Sequence, residues 1–436
     1  MPETNSGKAV SKVQLAVLWA IFFMFVNLSN ESMIQLLTPT MEEEFGITKA
    51  QASLIVTVAA VIASVGGTVY ATLTDVFSMR QLLLFGVAAF NAGTLVGFAV
   101  QDSFPALVAA RVLQCAGGIS VPGCFVVLVT RYLDPGERMK YLAFSSTLYF
   151  FGNGLGSFLG AAISNAANWG YALLLPTVTL LAAPSFWKHL PREKGSGAPL
   201  DLAGALLAAA GIASAILSIA LRIGYGFLAA ALAIAWYLAR MRRKSRPFLD
   251  LSLLRRRGFR LALLCAVTIL GAQACVMFLL PFIAKYVYGL GLFDTGLLLV
   301  SAYLPALAAG IALGKALNRL GRRRLFLLGW ALLFASLAAL ALTMEAPLVL
   351  TGLVLFVFAV SNPFLYTGLI DELTAQLPPD KLGSGMGVFY LAMGGGHAAA
   401  ISVASVLLTN GVFGGGSFPL GDGMQINEYS RLLFLL

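Results

Sequence analysis

The sequence predicts an all-α integral membrane protein whose helices cross a bilayer repeatedly. Of its 436 residues, 59% are hydrophobic and only 11% are charged, and the mean hydropathy is +0.87. A soluble domain usually carries about 25% charged residues, so this chain could not cover a water-facing surface. The net charge of +10 is spread over segments between apolar runs, which argues against a nucleic-acid-binding face.

Apolar runs of spanning length predict the individual helices, because a spanning helix needs roughly 20 apolar residues. The predicted runs are 13–38, 49–74, 80–100, 103–131, 140–164, 168–187, 201–221, 223–240, 259–285, 293–314, 322–342, 346–370, 383–409 and 428–436. The last run is too short to cross a bilayer, so we expect a final helix that is truncated in this sequence.

The positions of lysine and arginine predict the orientation. Among the 29 Lys and Arg residues, only Lys49, Arg222, Lys285 and Arg431 fall at predicted outer ends, and Arg111 lies within a span. Cytoplasmic loops carry an excess of cations. The N-terminus is therefore predicted to be cytoplasmic.

Two polar linkers divide the chain. The segment 191–199 contains Gly-Ser-Gly, and 240–260 is strongly basic. They predict a 6+2+6 arrangement: a six-helix bundle at 1–190, two inserted helices at 191–258, and a second, incomplete six-helix bundle at 259–436. Paired helical halves with a binding site between them near the membrane midplane are typical of secondary transporters.

A Gly- and Arg-rich loop near position 320 separates two predicted spans of the second bundle. It resembles the inter-helix loop signature of the major facilitator superfamily, and 70–81 occupies the same place in the first bundle. The resemblance implies a transporter, not an enzyme, with a conformational latch at the cytoplasmic surface. The latch residues would be Asp75, Arg80, Gly314, Asn318, Arg319, Gly321, Arg322 and Arg323.

Further segments are similar to the fourteen-span drug:proton antiporters, and among these to the L and K classes of tetracycline efflux protein. They are Asn30-Glu31 with Pro39, Arg111 to Gln114, Gly152 to Gly160, Trp169 with Pro176, Pro247 to Asp250, and Gly383 to Met386. The resemblance implies efflux of a small drug, or of a drug–metal chelate, driven by protons entering the cell. It also implies a monomer in the bacterial cytoplasmic membrane, antibiotic resistance as the outcome, and no cofactor.

Three positions depart from that antiporter pattern. Ser157 stands where proline is expected, and Asn153 and His397 stand where acidic residues are expected. Two other transport functions therefore stay open: export of an endogenous metabolite or metal chelator, and monovalent cation/proton exchange. A membrane sensor that does not transport is a further alternative.

A polar stripe in the first span is the strongest candidate site. Asn27, Glu31 and Gln35 are spaced by four residues and so share one helix face. A charged side chain at a helix centre costs on the order of 2.5–3.5 kcal/mol on insertion scales, so we expect the stripe to line a central cavity. Glu31 is predicted to carry a proton or to bind a cationic group, although a structural carboxylate near the outer interface is the alternative.

Arg111 is the second candidate, in the fourth span, with Gln114 on the same face. Arginine stays charged at all relevant pH values. It can hold an anionic part of a substrate, pair with Glu31 and modulate its protonation, or form a purely structural pair between helices.

Neutral polar groups complete the predicted substrate site. His397 follows three glycines, and an imidazole exchanges protons near neutral pH, so His397 is predicted to assist proton passage or to be a structural imidazole. Asn153, Asn362 and Tyr366 add polar groups to other spans. One buried histidine makes no metal site, and the absence of a Walker loop in the sequence argues against direct use of ATP.

Overall fold

The computed structural model describes residues 3–74, 77–191, 202–221, 224–241, 251–344, 346–377, 382–410 and 429–433. Within these ranges every regular element is a helix, which confirms the all-α prediction. Some helical residues in these ranges are described by their backbone only, among them Gly314, Asn318 and Arg322.

The helices before residue 190 are called the N-terminal half. They are α1 Glu3–Phe45, α2 Lys49–Ala52, α3 Leu54–Leu73, α4 Met79–Ala99, α5 Phe104–Gly118, α6 Ser120–Tyr132, α7 Pro135–Ala166, α8 Trp169–Ala172 and α9 Ala183–His189, with a 3-10 helix at Leu175–Ala182 between the last two.

Two inserted helices and the C-terminal half follow. The inserted pair is α10 Leu202–Leu221 and α11 Gly224–Met241. After a 3-10 helix at Leu251–Arg255, the C-terminal half comprises α12 Arg257–Tyr286, α13 Leu292–Leu320, α14 Arg322–Leu342, α15 Leu348–Ala375 and α16 Leu382–Thr409. A short helical segment lies at 429–433.

Nine helical segments in the described part of the chain are long and apolar enough to cross a membrane. This confirms a multi-pass membrane protein. The apolar core consists of several clusters. The largest is built mainly from α12–α16 and also includes Leu36 of α1, Ala161 of α7 and Tyr237 of α11. Two smaller clusters lie among the helices of the N-terminal half.

Several predicted helix ends are wrong. The first helix continues to Phe45 because Thr38 replaces the donor that Pro39 lacks: its hydroxyl donates to the Gln35 carbonyl oxygen at 2.7 Å. The predicted loop after 314 is helical as far as Leu320. Gly321, with φ +74°, alone makes the turn into α14, and glycine adopts this backbone conformation without steric cost.

Two other predicted spans are interrupted. The fourth is split at Ile119 into α5 and α6. The sixth consists of α8, the 3-10 helix and α9, where Pro176 and Pro184 stand at the starts of successive segments. A proline has no backbone N–H to donate and is well tolerated in the first turn of a helix, so the break falls between segments.

The two halves meet along two seams. In the first seam α7 packs against α13, and in the second seam α3 packs against α16. Glycines allow both approaches: a Cβ added at Gly154 would lie 2.9 Å from Tyr303 Cβ, and one at Gly394 would lie 2.4 Å from Ser64 Cβ. The backbones at each seam are therefore close enough that a larger side chain would force them apart.

The inserted helices cover the second seam. Helix α10 packs against both α3 and α16, and α11 packs against α10. Ile212 and Ala213 of α10 contact Val61 and Ala398, one from each half. The polar residues of the candidate site lie outside this inserted pair.

Candidate functional site

The centre of the site is an ion pair between α1 and α5. Arg111 Nη2 lies 2.6 Å from Glu31 Oε2, and the Arg111 side chain is 3% exposed whereas that of Glu31 is 31% exposed. The guanidinium is therefore enclosed by protein, whereas the Glu31 side chain is the more accessible partner of the pair. Such a carboxylate can exchange a proton or meet a ligand while the arginine stays in place.

A chain of polar side chains holds the arginine from behind. Arg111 Nη1 donates to Gln114 Oε1, and Gln114 Nε2 donates to the Thr94 hydroxyl at 2.7 Å. The Thr94 hydroxyl in turn donates to the Phe90 carbonyl oxygen at 2.9 Å. The network thus runs from α1 through α5 to α4 and restricts the orientation of the guanidinium.

Close packing of α4 on α5 makes this network possible. A Cβ added at Gly93 would lie 2.3 Å from the Gln114 backbone nitrogen, and one at Gly117 would lie 2.2 Å from that of Phe90. Real Cβ atoms do not approach this closely, so both positions require glycine in this packing. The glycines bring the Gln114 amide within reach of Thr94.

The predicted stripe on α1 does not form one uniform cavity wall. Asn27 is buried against α5, since a Cβ at Gly118 would lie 2.2 Å from Asn27 Oδ1. Glu31 is partly open, and Gln35 is half-buried. Of the three residues, Glu31 is the one that forms an ion pair with Arg111, the second predicted site residue.

Asn30 is a polar residue that the sequence reasoning did not assign to the site. Its side chain is 1% exposed, and neither its Oδ1 nor its Nδ2 has a hydrogen-bond partner among the described residues. A buried unpaired amide is costly. The signal in the sequence is its place next to Glu31, in the Asn30-Glu31 segment that resembles the fourteen-span antiporters.

Asn153 joins α7 to α1. The Ser32 hydroxyl donates to Asn153 Oδ1 at 2.5 Å. The glycines of α7 permit this approach: a Cβ at Gly156 would lie 2.1 Å from the Ser29 carbonyl oxygen, and one at Gly160 would lie 2.5 Å from a Met33 side-chain carbon. The Gly-xxx-Gly spacing of α7 therefore serves helix packing, and Asn153 adds a polar contact at that interface.

The remaining predicted polar residues lie in the C-terminal half. His397 Nε2 on α16 and Asn362 Oδ1 on α15 are buried and have no hydrogen-bond partner within the described ranges. Tyr366 is exposed and forms a hydrogen bond with Tyr390. No hydrogen bond between described side chains joins Asn362 or His397 to the Glu31–Arg111 pair.

The predicted latch is only partly described. Asp75 lies outside the described residues. The Arg80 guanidinium lies 4.0 Å from the centroid of the Trp187 ring, within the same half. Gly314, Asn318 and Arg319 belong to α13, Gly321 forms the turn, and Arg322 and Arg323 begin α14.

No metal centre is evident in the part of the chain that the structure describes. No group of three or more His, Cys, Asp or Glu side chains is arranged to hold an ion there. The sequence-predicted site is therefore one ion pair with an attached amide–hydroxyl network, together with separate neutral polar groups in α1, α7, α15 and α16.

Solved membrane transporters share this helical architecture. The structure superimposes on a mutant form of the nucleoside transporter NupG with a TM-score of 0.67 and 10% identity, covering 97% of this chain and 95% of that one. The inward-open xylose transporter XylE from E. coli gives 0.64 and 14%, with 98% and 94% covered. The helical architecture is therefore shared with these two transporters.

The family follows from the sequence comparison. Residues 20–401 match the Major Facilitator Superfamily, and the chain belongs to that family. It is 24% identical over 417 residues to a protein named as a candidate multidrug resistance protein, MdtD, from Enterobacter sp. (strain 638), covering 91% of this chain and 86% of that one. It is 25% identical over 324 residues to the uncharacterized MFS-type transporter YcnB of Bacillus subtilis (strain 168), covering 71% and 68%.

Proposed function

We propose that this transporter exports small amphipathic compounds from the cytoplasm in exchange for protons. The observation that carries the proposal is the unequal burial of the Glu31–Arg111 pair. A carboxylate that is partly open while its arginine is enclosed can bind a proton or a cationic group without exposing the arginine. Relatives named as multidrug resistance proteins support a drug-like substrate. The sequence resemblance to tetracycline efflux proteins adds tetracycline-like compounds to the proposed substrates.

Protonation of Glu31 changes the energy of the site. While the carboxylate is ionised, it neutralises the buried guanidinium. Once it is protonated, Arg111 keeps the neutral Gln114 as its polar partner, and an uncompensated buried charge is strongly unfavourable. A difference of this kind between two protonation states is what can shift a two-state conformational equilibrium.

The neutral polar groups are proposed to contact the substrate. Asn27, Gln35 and Gln114 belong to the N-terminal half, and Asn153 lies near the first seam. Asn362, Tyr366 and His397 would provide hydrogen bonds from the C-terminal half, with His397 also assisting proton passage. This distribution suits an amphipathic compound whose charged group faces Glu31 and Arg111 and whose neutral polar groups face α15 and α16.

The proposal includes a location and a cytoplasmic latch. The cation distribution supports a cytoplasmic N-terminus, and the bacterial relatives support the bacterial cytoplasmic membrane. Asp75 and Arg80 in one half, and the predicted residues from Gly314 to Arg323 in the other, would form contacts that stabilise one conformation. A monomer has both halves and so is sufficient for this mechanism.

Proton flux in liposomes tests the proposal. The purified protein is reconstituted, a pH gradient is imposed, and tetracyclines, cationic dyes, metal chelators and monovalent salts are added in turn. One compound class should dissipate the gradient, and Glu31→Gln should abolish this effect. Asp102→Asn, which removes an exposed carboxylate from a loop, is the matched control and should behave as the parent protein.

The outcome also separates the alternatives. Gradient dissipation by chelators or salts alone would assign metabolite export or cation exchange. Ordinary proton-driven drug exchange in Glu31→Gln would contradict the role of Glu31. Binding of compounds with no proton movement in the parent protein would contradict proton coupling and favour a sensor.

A further inference from the structure

A second group of charged residues joins the outer ends of the two halves. The last turn of α1 contains three consecutive glutamates, Glu42 to Glu44, and α12 ends in Lys285 and Tyr286. Lys285 Nζ lies 2.6 Å from Glu43 Oε2 and donates to the Pro39 carbonyl oxygen at 3.1 Å. The Tyr286 hydroxyl donates to Glu42 Oε2 at 3.0 Å.

Helix α2 contributes to the same group. Lys49 Nζ lies 5.1 Å from the centroid of the Tyr286 ring and 5.4 Å from that of Tyr429. These distances are within the range of cation–π attraction. Tyr286 of the C-terminal half is thus contacted by both α1 and α2 of the N-terminal half.

The second seam has its own contacts at this end. The Ala50 backbone nitrogen donates to the Thr409 hydroxyl at 3.1 Å. One turn further in, the Ser405 hydroxyl donates to the Ser53 hydroxyl at 3.1 Å, and both serines are buried. Two separate sets of side chains therefore close the outer ends of the two halves against each other.

The charges themselves indicate a function at this place. Cations are disfavoured at outer ends of helices in membrane proteins. Lys49 and Lys285 are two of the few cations predicted there, and both contact residues across the boundary between the halves. A cation retained against the general bias needs a local partner, and the acidic end of α1 is that partner for Lys285.

We propose that Glu42, Glu43, Lys285 and Tyr286, defined here as the outer latch, hold the transporter closed to the outside. The latch must separate before the central cavity can open outward. This inference concerns the conformational cycle and does not depend on the substrate or on proton coupling. It is also distinct from the cytoplasmic latch expected from the sequence.

The latch should be breakable. Glu43 is 56% exposed and Lys285 is 27% exposed, and an exposed ion pair is individually weak. Loss of this pair is therefore expected to raise the population of the outward-open state by roughly two- to fivefold. Such a contact biases two conformations without preventing their exchange.

External labelling of a cavity cysteine measures this population. Gln35→Cys introduces a half-buried thiol in the outer third of α1, further from the outer end than Glu42 and Glu43. A membrane-impermeant maleimide is applied from outside to liposomes containing the full chain. Labelling of the native cysteines is subtracted by using the parent protein. Glu43→Gln and Lys285→Ala should each raise the labelling rate roughly two- to fivefold, and the charge exchange Glu43→Lys with Lys285→Glu should return it toward the parent value.

Glu44→Gln is the matched control. Glu44 belongs to the same run of glutamates, but its carboxylate accepts a hydrogen bond from Trp169 Nε1 within its own half. Its substitution should leave the labelling rate unchanged. Equal acceleration by Glu44→Gln and Glu43→Gln would overturn the proposal, because local fraying of α1 would then explain both.

A reversible lock provides an independent test. The Ser53 and Ser405 hydroxyls are 3.1 Å apart, so Ser53→Cys with Ser405→Cys places two thiols within reach of a disulfide. After oxidation, external labelling at position 35 should cease, and a reductant should restore it. Continued labelling of protein shown by mass spectrometry to be crosslinked would overturn the outer closure.

Discussion

Arg111 of α5 contacts Glu31 of α1 across 80 residues of sequence, with 2.6 Å between Nη2 and Oε2, and only the carboxylate side of the pair is appreciably exposed. The arginine is tied through Gln114 to Thr94 on α4. The pair therefore links three helices of the N-terminal half. A substitution or protonation at Glu31 is therefore expected to affect the interactions of the Arg111 side chain first.

The first prediction concerns the unequal burial of this pair. Glu31→Leu should destabilise the protein by about 3–5 kcal/mol, because it leaves a buried guanidinium without a counter-charge. Glu31→Gln should cost less, because the amide oxygen still accepts a hydrogen bond from Arg111. Unfolding in detergent, followed by tryptophan fluorescence, measures both losses.

The double variant Glu31→Leu with Arg111→Met completes the comparison. Apolar replacement of both partners removes the uncompensated charge, so most of the stability should return. Strictly additive losses from the two single substitutions would contradict an energetic coupling between these side chains.

The second prediction concerns the glycines between α4 and α5. Gly93→Ala should destabilise the protein by about 1–3 kcal/mol, because the new Cβ would lie 2.3 Å from the Gln114 backbone nitrogen and must displace a helix. Gly97→Ala on the same helix is the control, since its Cβ would meet Leu107 at an ordinary 3.6 Å. Thermal unfolding of the two variants compares them directly; equal midpoints would show that the α4–α5 approach is looser than described.

The third prediction concerns the second seam. Gly394→Ala should slow transport, because its Cβ would lie 2.4 Å from Ser64 Cβ and 2.7 Å from the Ala60 carbonyl oxygen, which forces α3 and α16 apart. Gly395→Ala should transport at the parent rate, because its nearest neighbour, Ile212, is 3.9 Å away. Initial uptake rates into inverted vesicles, normalised to protein content, compare the two variants. A parental rate for Gly394→Ala would contradict the close packing of this seam.

The fourth prediction concerns His397. If the imidazole assists proton passage, His397→Gln should lower the rate of proton-driven exchange while compound binding, measured by ligand-induced fluorescence change, stays close to that of the parent protein. Asn362→Ala serves as the comparison, because its proposed contribution is to substrate contact and its loss should weaken binding. Parallel losses of binding and exchange in His397→Gln would instead indicate a substrate-binding or structural imidazole.

Much of the fold could be predicted from local sequence. Hydropathy identifies the spanning helices because a run of about 20 apolar residues is stable across a bilayer wherever it occurs in the chain. Helical spacing placed Gln114 near Arg111. The Gly-xxx-Gly spacing of Gly152, Gly156 and Gly160 is also a local pattern, and it is typical of close helix packing in membranes. The errors lie at helix ends, where a single residue decides whether the helix continues. Thr38 compensates for the donor that Pro39 lacks, so α1 continues beyond the predicted end. Gly321 alone forms the turn between α13 and α14, where the sequence predicts a longer loop.

The sequence by itself determined that the chain is an all-α membrane protein of the major facilitator type, and it singled out Glu31 and Arg111 as costly interior charges. Only the tertiary structure decided that these two are partners, that Asn27 packs against Gly118, and that the outer ends of α1 and α12 meet through Glu43 and Lys285. The reason is that hydropathy and periodicity describe one helix at a time. The rotation and crossing of neighbouring helices depend on side chains far apart in the sequence, such as the glycines that let two backbones touch.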